Sequence, residues 1–342
     1  MFVAGWSFTN KCNLRCIHCY NASGKAHCDE MSTEQAKKIA QKLIDFGIDA
    51  VNFGGGECPL RPDFIEICGM LHKAGIKISL TTNGTTLKLV KNHLHLFHDV
   101  GVSIDFADEK NHDAFRGVPG TYKKAVKATR FFVKKGMDTE IVTCITSMNC
   151  SKKEMQKMYD LAKSIGVDYW RLNRYRPTGR NNTDKLTLTP DDLRKSYSFL
   201  NKHVKNMTVP DPLFAIFSTP AAKCPCGSTS FRIQANGDVT PCVFLKVSGG
   251  NILENSIQEI LDSPVFRQIR NRDLSKTKCS GCKHWQTCRG GCAGNAYLVH
   301  GTFNKPDPLC WKNDEWNVHE KYLCTAYVPI RRRSNARKTA QA

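Results

Sequence analysis

Nowhere in this chain do eighteen consecutive apolar residues occur, which excludes a conventional membrane-spanning helix. Met1–Asn10 leaves no room for the basic and apolar regions of a secretory signal ahead of Lys11 and Cys12, so a cytoplasmic location is expected. Acidic residues are scarce: 31 Asp and Glu stand against 50 Lys and Arg, a formal net charge of +19. Five of those positive charges crowd into Arg331, Arg332, Arg333, Arg337 and Lys338, which reads as a solvated, disordered tail. The remaining excess would attract an acidic peptide, a carboxylate-rich small molecule or RNA. Low-complexity sequence is absent outside the tail. Cysteine is plentiful at 17 residues, yet short of the roughly 8–10% of small secreted disulfide scaffolds. With CxxC clustering and no secretory signal, reduced thiols that hold metal are expected rather than disulfides.

From Met31 to Leu172 one pattern recurs: an amphipathic helix, a glycine, then a short β-branched strand. Gly47, Gly75, Gly101, Gly136 and Gly166 mark the junctions, and each is predicted to be a left-handed helix C-cap. Their spacing of about 26 to 35 residues is that of βα units, which implies a parallel sheet. Six strands are predicted, the first over Val3–Phe8 and the last over Tyr169–Leu172. Six units fit a partial (β/α)6 TIM-type barrel, with ligands at the C-terminal strand ends. Ser32-x-x-Gln35 and Ser151-x-x-Glu154 read as capping boxes, and Thr189-Pro190 opens a further helix. The proline-rich stretch Pro210–Pro220 reads as a linker. Beyond it Ser230–Gln234, the Asn236-Gly237 turn and Val239–Leu245 form a predicted hairpin in a small Cys-rich domain that metal would staple. The expected organisation is α/β: a barrel core over 1–180, a bridging helix and linker over 181–222, the Cys-rich domain over 223–325 and the tail over 326–342.

The chemistry lies in the cysteine spacing. Cys12-x3-Cys16-x2-Cys19 directly follows the first predicted strand, where a barrel places its functional loops. Three thiolates on one short loop can hold a [4Fe-4S] cube and leave one iron open. The second array is Cys224, Cys242, Cys279, Cys282, Cys288, Cys292 and Cys310. Its CxxC pair suits tetrahedral zinc as well as iron–sulfur clusters, and residues alone leave both open.

The first array, with Tyr20 after it, resembles the radical S-adenosylmethionine (SAM) superfamily. The second matches all seven cysteines of the SPASM domain, including Pro241 before Cys242 and Gly250-Asn251-Ile252 downstream. The resemblance runs from Phe2 to about Cys324. It implies that the open iron chelates SAM and that reductive cleavage releases a 5′-deoxyadenosyl radical, in an oxygen-sensitive enzyme. It also implies two auxiliary [4Fe-4S] clusters, an outer one on Cys279, Cys282, Cys288 and Cys310, and an inner one on Cys224, Cys242 and Cys292. Cys226 is a candidate fourth inner ligand. Gly54-Gly55-Gly56-Glu57 is similar to the family's GGE segment at the SAM amino group, with Cys58 where Pro is usual. Asn83, Ser103 and Asp105 match segments near the SAM ribose or methionine, and Arg116 could pair a carboxylate. Cys144 is a candidate hydrogen or proton donor at the barrel mouth. Arg174 or Arg176 could grip the SAM carboxylate or an acidic substrate.

The resemblance makes a ribosomally made peptide the first expectation for substrate, the chain acting as a maturase. A separate leader-peptide-binding protein would assist, since only eleven residues precede Cys12, and an electron donor such as flavodoxin or ferredoxin would supply the reductant. The alternative is small-molecule tailoring, such as tetrapyrrole side-chain removal in haem or haem d1 synthesis, or sugar-acid decarboxylation. A remote third reading is a non-enzymatic iron–sulfur RNA-binding or electron-transfer protein. No membrane partner is expected, and the motifs do not favour nucleic acid.

Overall fold

The structure, a computed structural model, describes residues 1–180, 184–217 and 224–312. Cys324 and the basic tail lie outside the described residues. Six parallel strands form the predicted series: β1 (Val3–Thr9), β2 (Ala50–Gly55), β3 (Lys77–Thr82), β4 (Asp99–Ser103), β5 (Asp138–Ile145) and β6 (Tyr169–Arg174). Each pairs with the next, and β7 (Met207–Thr208) extends the sheet beyond β6. The predicted hairpin forms from β8 (Ser230–Ile233) and β9 (Asp238–Thr240), which run antiparallel. It is not set apart from the barrel: β8 pairs in parallel with β1, and β10 (Gly250–Asn251) closes the order β10-β9-β8-β1-β2-β3-β4-β5-β6-β7. The Cys-rich segment therefore continues the barrel sheet, which brings Cys224, Cys226, Cys242 and Cys292 to the same cavity as the first cysteine loop. Among the described residues no helix is long and apolar enough to cross a membrane.

Strand alternation separates an apolar face from a polar lumen. Trp6, Phe53, Leu80 and Val100 lie in one cross-strand row, buried against the helices. Trp6, Phe8, Phe53 and Phe64 pack there with ring centroids 5.2–5.8 Å apart. Each fully buried apolar side chain of this kind contributes roughly 1.5–3 kcal/mol. The alternate positions, among them Asn52, Thr81, Ser103 and Asn173, face a cavity instead.

The helix signals hold in most places. Ser32 and Gln35 form a full capping box, as do Thr189 and Asp192 ahead of the helix Pro190–His203. Ser151 accepts from the Glu154 amide as the cap of Lys152–Ile165. Gly47, Gly75, Gly136 and Gly166 take left-handed φ values of 71–80°.

Gly101 does not: it lies inside β4, and the preceding turn ends earlier. A Cβ there would sit 2.8 Å from Val142 Cγ2 and 2.9 Å from Glu140 Oε1, so the glycine clears space for the Glu140–Arg171 ion pair between the neighbouring strands β5 and β6. Gly101→Ala is accordingly expected to destabilise the protein by roughly 1–3 kcal/mol through overpacking. Denaturant unfolding of the metal-free protein would check this, and an unchanged midpoint would refute it.

Pro210–Phe217 is likewise no free linker. Leu213 is fully buried, Phe214–Ile216 forms a 3-10 turn, and Asp211 pairs with arginines of the β6 end; residues 218–220 lie outside the described residues.

Candidate functional site

The cysteine loop leaves the C-terminal end of β1 and is held by its neighbours. Gly56 and Glu57 donate their amides to the carbonyls of Thr9 (2.7 Å) and Lys11 (2.9 Å). A Cβ on Gly56 would lie 2.2 Å from the Lys11 oxygen, and Gly55 has φ +108° against Ser7. These glycines are thus required by the close approach of two loops. Cys58, at the position where the resemblance expects proline, donates its thiol to the Gly54 carbonyl (3.1 Å) and ties the same loop down. On the opposite side Arg180 donates its amide to Cys19 O (2.9 Å).

Within this frame Cys12, Cys16 and Cys19 line one cavity of about 410 Å³. Their sulfurs already have N–H donors: Leu14 N to Cys12 (3.5 Å), Ser23 N to Cys19 (3.4 Å), Arg116 Nη1 to Cys16 (3.7 Å) and Asn83 Nδ2 to Cys12 (3.9 Å). Donors of this kind stabilise thiolate ligands and tune a cluster, so the loop fits a three-thiolate cube. Burial, with the nearby Glu57, Cys16 and Cys19 charges and against the Leu14 amide, pushes the Cys12 thiol up to about 12. Bound metal would have to displace that proton.

The same cavity is lined by Cys224, Cys226, Cys242 and Cys292. The Cys226 thiol is within hydrogen-bond reach of both Cys224 and Cys242, so all three belong to one group. The bond from Cys226 is the main cause that lowers Cys242 to about 7, against burial and aided by the Phe244 amide and Arg176. Arg176 Nε donates to Cys292 Sγ (3.2 Å), as does the Asn295 amide (3.4 Å). Four thiols with these donors fit the inner cluster. Cys279, Cys282, Cys288 and Cys310 form a second set away from the cavity, where burial, and after it the neighbouring thiols, raise Cys288 and Cys310. Among the described residues no group of three or more His, Cys, Asp or Glu is arranged around a single metal ion. Of the remaining cysteines, Cys58 and Cys68 are core, Cys150 is half-buried and Cys28 is exposed.

Several residues take other parts than the sequence suggested. Glu57 lines the cavity but is 1% exposed, and its carboxylate accepts from Thr82 Oγ1, Thr86 Oγ1 and Asn83 N (2.9 Å). Burial raises its pKa in spite of those bonds. Most of its acceptor capacity therefore braces β2 against β3, leaving less for an ammonium. Asp105 does not line the cavity; it receives Arg116 Nε (2.7 Å), Arg116 Nη2 (2.6 Å) and the Cys144 amide (2.9 Å). Arg116 is thereby fixed as a buried cation beside Cys16 and is not free to grip a ligand carboxylate in two-pronged fashion. Ser103, Asn83 and Tyr20 all line the cavity, as does Cys144, whose thiol burial keeps protonated.

Arg174 and Arg176 line the cavity but are held by carboxylates of the chain itself. Arg174 is fully buried between Asp211 (2.5 Å) and Asp307, and Arg176 pairs with Asp211 (3.2 Å) and covers the Phe244 ring at 4.3 Å.

His18 and Arg232 were not foreseen as cavity residues, nor was the inward position of Arg171. His18, inside the Cys16-x-x-Cys19 spacing, stacks on Phe115 at 4.2 Å, and burial lowers its pKa to about 3, so the ring is neutral. Its Nδ1 has no partner among the described residues. Arg171 alternates with the apolar Trp170 and Leu172, a charged inward position that strand periodicity could have exposed. Arg232 stands in the same relation to Phe231 and Ile233 on β8.

Comparison with known proteins follows this geometry. A profile of the radical SAM superfamily matches residues 6–162, and one of the SPASM iron–sulfur cluster-binding domain matches residues 224–283. The chain is 32% identical over 325 residues to the mycofactocin maturase MftC of Mycolicibacterium smegmatis, covering 89% of this chain and 81% of that one. It is 29% identical over 337 residues to the AdoMet-dependent heme synthase of Methanosarcina barkeri, covering 90% of this chain and 95% of that one. SuiB of Streptococcus suis, solved with S-adenosylmethionine and with the precursor peptide SuiA, superposes with a TM-score of 0.75 at 19% identity. That match covers 91% of this chain and 76–77% of SuiB.

Proposed function

We propose a peptide substrate for this chain, which belongs to the radical SAM superfamily and carries a SPASM iron–sulfur domain. It is an enzyme that uses a [4Fe-4S] cluster, SAM and auxiliary iron–sulfur clusters. When bound, cluster and SAM supply a 5′-deoxyadenosyl radical that removes a hydrogen atom from substrate. The chain's own residues do the rest. Cys12, Cys16 and Cys19 would hold three irons and leave the fourth for SAM, while Gly54–Gly56, Asn83 and Ser103 would line the SAM half of the cavity.

The observation that carries the reading is the single cavity. The radical loop and the inner thiols Cys224, Cys226, Cys242 and Cys292 open onto the same space. A side chain inserted from a peptide would lie between them, with the inner cluster placed to take up an electron after hydrogen abstraction. The likeness to a mycofactocin maturase and the SuiB fold support a peptide. A separate leader-peptide-binding protein and a flavodoxin or ferredoxin donor would complete the system.

Tailoring of a carboxylate-bearing small molecule is the second reading, favoured by the arginine-lined lumen and the likeness to a haem synthase along nearly its whole length.

The expected result in anaerobic turnover with SAM, reductant and candidate precursor peptides is stoichiometric 5′-deoxyadenosine and peptide lighter by whole hydrogen atoms. Deoxyadenosine formed with a tetrapyrrole carboxylic acid and with no peptide would overturn the peptide reading.

A further inference from the structure

Five arginines line the cavity, and four of them are matched by anions. Arg116 has Asp105, Arg171 has Glu140 at 2.9 Å, Arg174 has Asp211 and Asp307, and Arg176 shares Asp211. Arg232 differs. Its Nε donates to Ser7 Oγ (3.0 Å) and its Nη2 to Tyr20 OH (3.1 Å), and no carboxylate among the described residues lies within ion-pair distance.

The guanidinium is also seated with little room to move. A Cβ on Gly5 would lie 2.6 Å from its Nη1, and one on Gly54 would lie 3.0 Å from its Nη2. Two adjacent strands have given up side chains where the fork lies, which leaves a planar, pre-oriented pair of donors. Rigid forks of this kind match carboxylates in two-pronged fashion.

A second cation stands near. Lys246 is exposed overall and has no ion-pair partner among the described residues. It stands close enough to Arg232 for the two charges to act on one another. Two unpaired like charges repel unless an anion joins them. Arg232 lines the cavity from β8, beside Tyr20, whereas Asn83, Ser103 and Cys144 line it from the end of β3, from β4 and from β5. The empty anion position is therefore on the side of the auxiliary thiols.

We infer that Arg232, supported by Lys246, binds a carboxylate of the substrate and so positions it between the radical loop and the inner thiols. The inference rests on the enzyme reading above and narrows the substrate to one that carries a carboxylate near the reacting carbon. That carboxylate could belong to an acidic side chain of a peptide or to a propionate of a tetrapyrrole.

The test uses anaerobically reconstituted holoenzyme with SAM and two fluorescent probes, a metal-free porphyrin tetrapropionate and a labelled Glu-containing peptide, each beside its fully amidated analogue. At least one acid probe should bind, and Arg232→Gln should weaken it by about tenfold or more, as expected for a charge-assisted hydrogen bond. Arg232→Lys should restore only part of the affinity, and the amidated analogues should be indifferent to every substitution. Lys246→Gln, which leaves the lumen untouched, should weaken the same probe in the same direction and guards against a misfolded Arg232 variant. Equal affinity of acid probes for wild type and Arg232→Gln overturns the inference, as does failure of both acid probes to bind wild type. A change confined to the spectrum or potential of the inner cluster also overturns it, since Arg232 would then serve Cys242. Arg232 dependence with the porphyrin alone leaves the inference standing and removes the peptide reading. A peptide modified by Arg232→Gln with unchanged KM does the reverse.

Discussion

Asp307→Asn is expected to destabilise the protein by roughly 3–5 kcal/mol, the cost of breaking a buried ion pair from one side. Asp307 is fully buried and accepts from Arg174, from the Cys292 amide (2.9 Å), from Asn295 Nδ2 (2.8 Å) and from the Leu309 amide (3.0 Å). Burial alone would raise its pKa, and Arg174 with the other donors holds it below the usual carboxylate value. The amide keeps the shape and loses the charge. Arg174 and Arg176 would then share Asp211 as their one remaining carboxylate, and the new NH2 would face groups that are themselves donors. At about 2–4 °C per kcal/mol for larger domains, thermal unfolding should fall by some ten degrees. Because Asp307 also sets the Cys292 backbone, iron content should drop toward loss of the inner cluster. A variant that melts within a degree of wild type with full iron would show the network to be neutral.

Cys16→Ala is expected to abolish 5′-deoxyadenosine release while leaving the auxiliary sites filled. Cys16 is buried, and it receives Arg116, which Asp105 fixes in place. Cys144, the thiol on the facing strand, donates its amide to Asp105 and so hangs from β5 rather than from the loop. Three cubes correspond to about twelve irons per chain. Anaerobic iron and sulfide counting should therefore find about eight in the variant, with SAM left intact under reducing conditions. Residual SAM cleavage above the reductant background would remove Cys16 from the ligand set. A count near four in the wild type would remove the auxiliary clusters.

The strand–helix series was legible because helix caps and the alternation of β-strands are local. Ser32, Thr189 and the glycines at 47, 75, 136 and 166 act within one turn of their own position. Gly101 misled for the opposite reason: its neighbours Val142, Glu140 and Arg171 come from β5 and β6, so only the assembled sheet reveals what a side chain there would strike. Pro210–Phe217 misled likewise, because the prolines advertise a loop while Asp211 and Leu213 find their partners far away in the chain.

The arginines divide the same way. Arg174 and Arg176 stand out in the sequence as possible grips for a carboxylate, and nothing local could say whether they were free. The fold assigns them and Arg171 to carboxylates and leaves Arg232, which lies some sixty residues beyond β6 in sequence, lining the cavity without a carboxylate partner among the described residues.

By itself the sequence determined the family, the α/β barrel series and the two cysteine arrays, since each rests on residue identity and short spacing. The tertiary structure alone decided that the first array shares one cavity with Cys224, Cys226, Cys242 and Cys292, that Cys226 lies within hydrogen-bond reach of Cys224 and Cys242, and which cations are neutralised. Those outcomes depend on the parallel pairing of β8 with β1 and on buried ion pairs between segments more than thirty residues apart, distances over which no local pattern carries information.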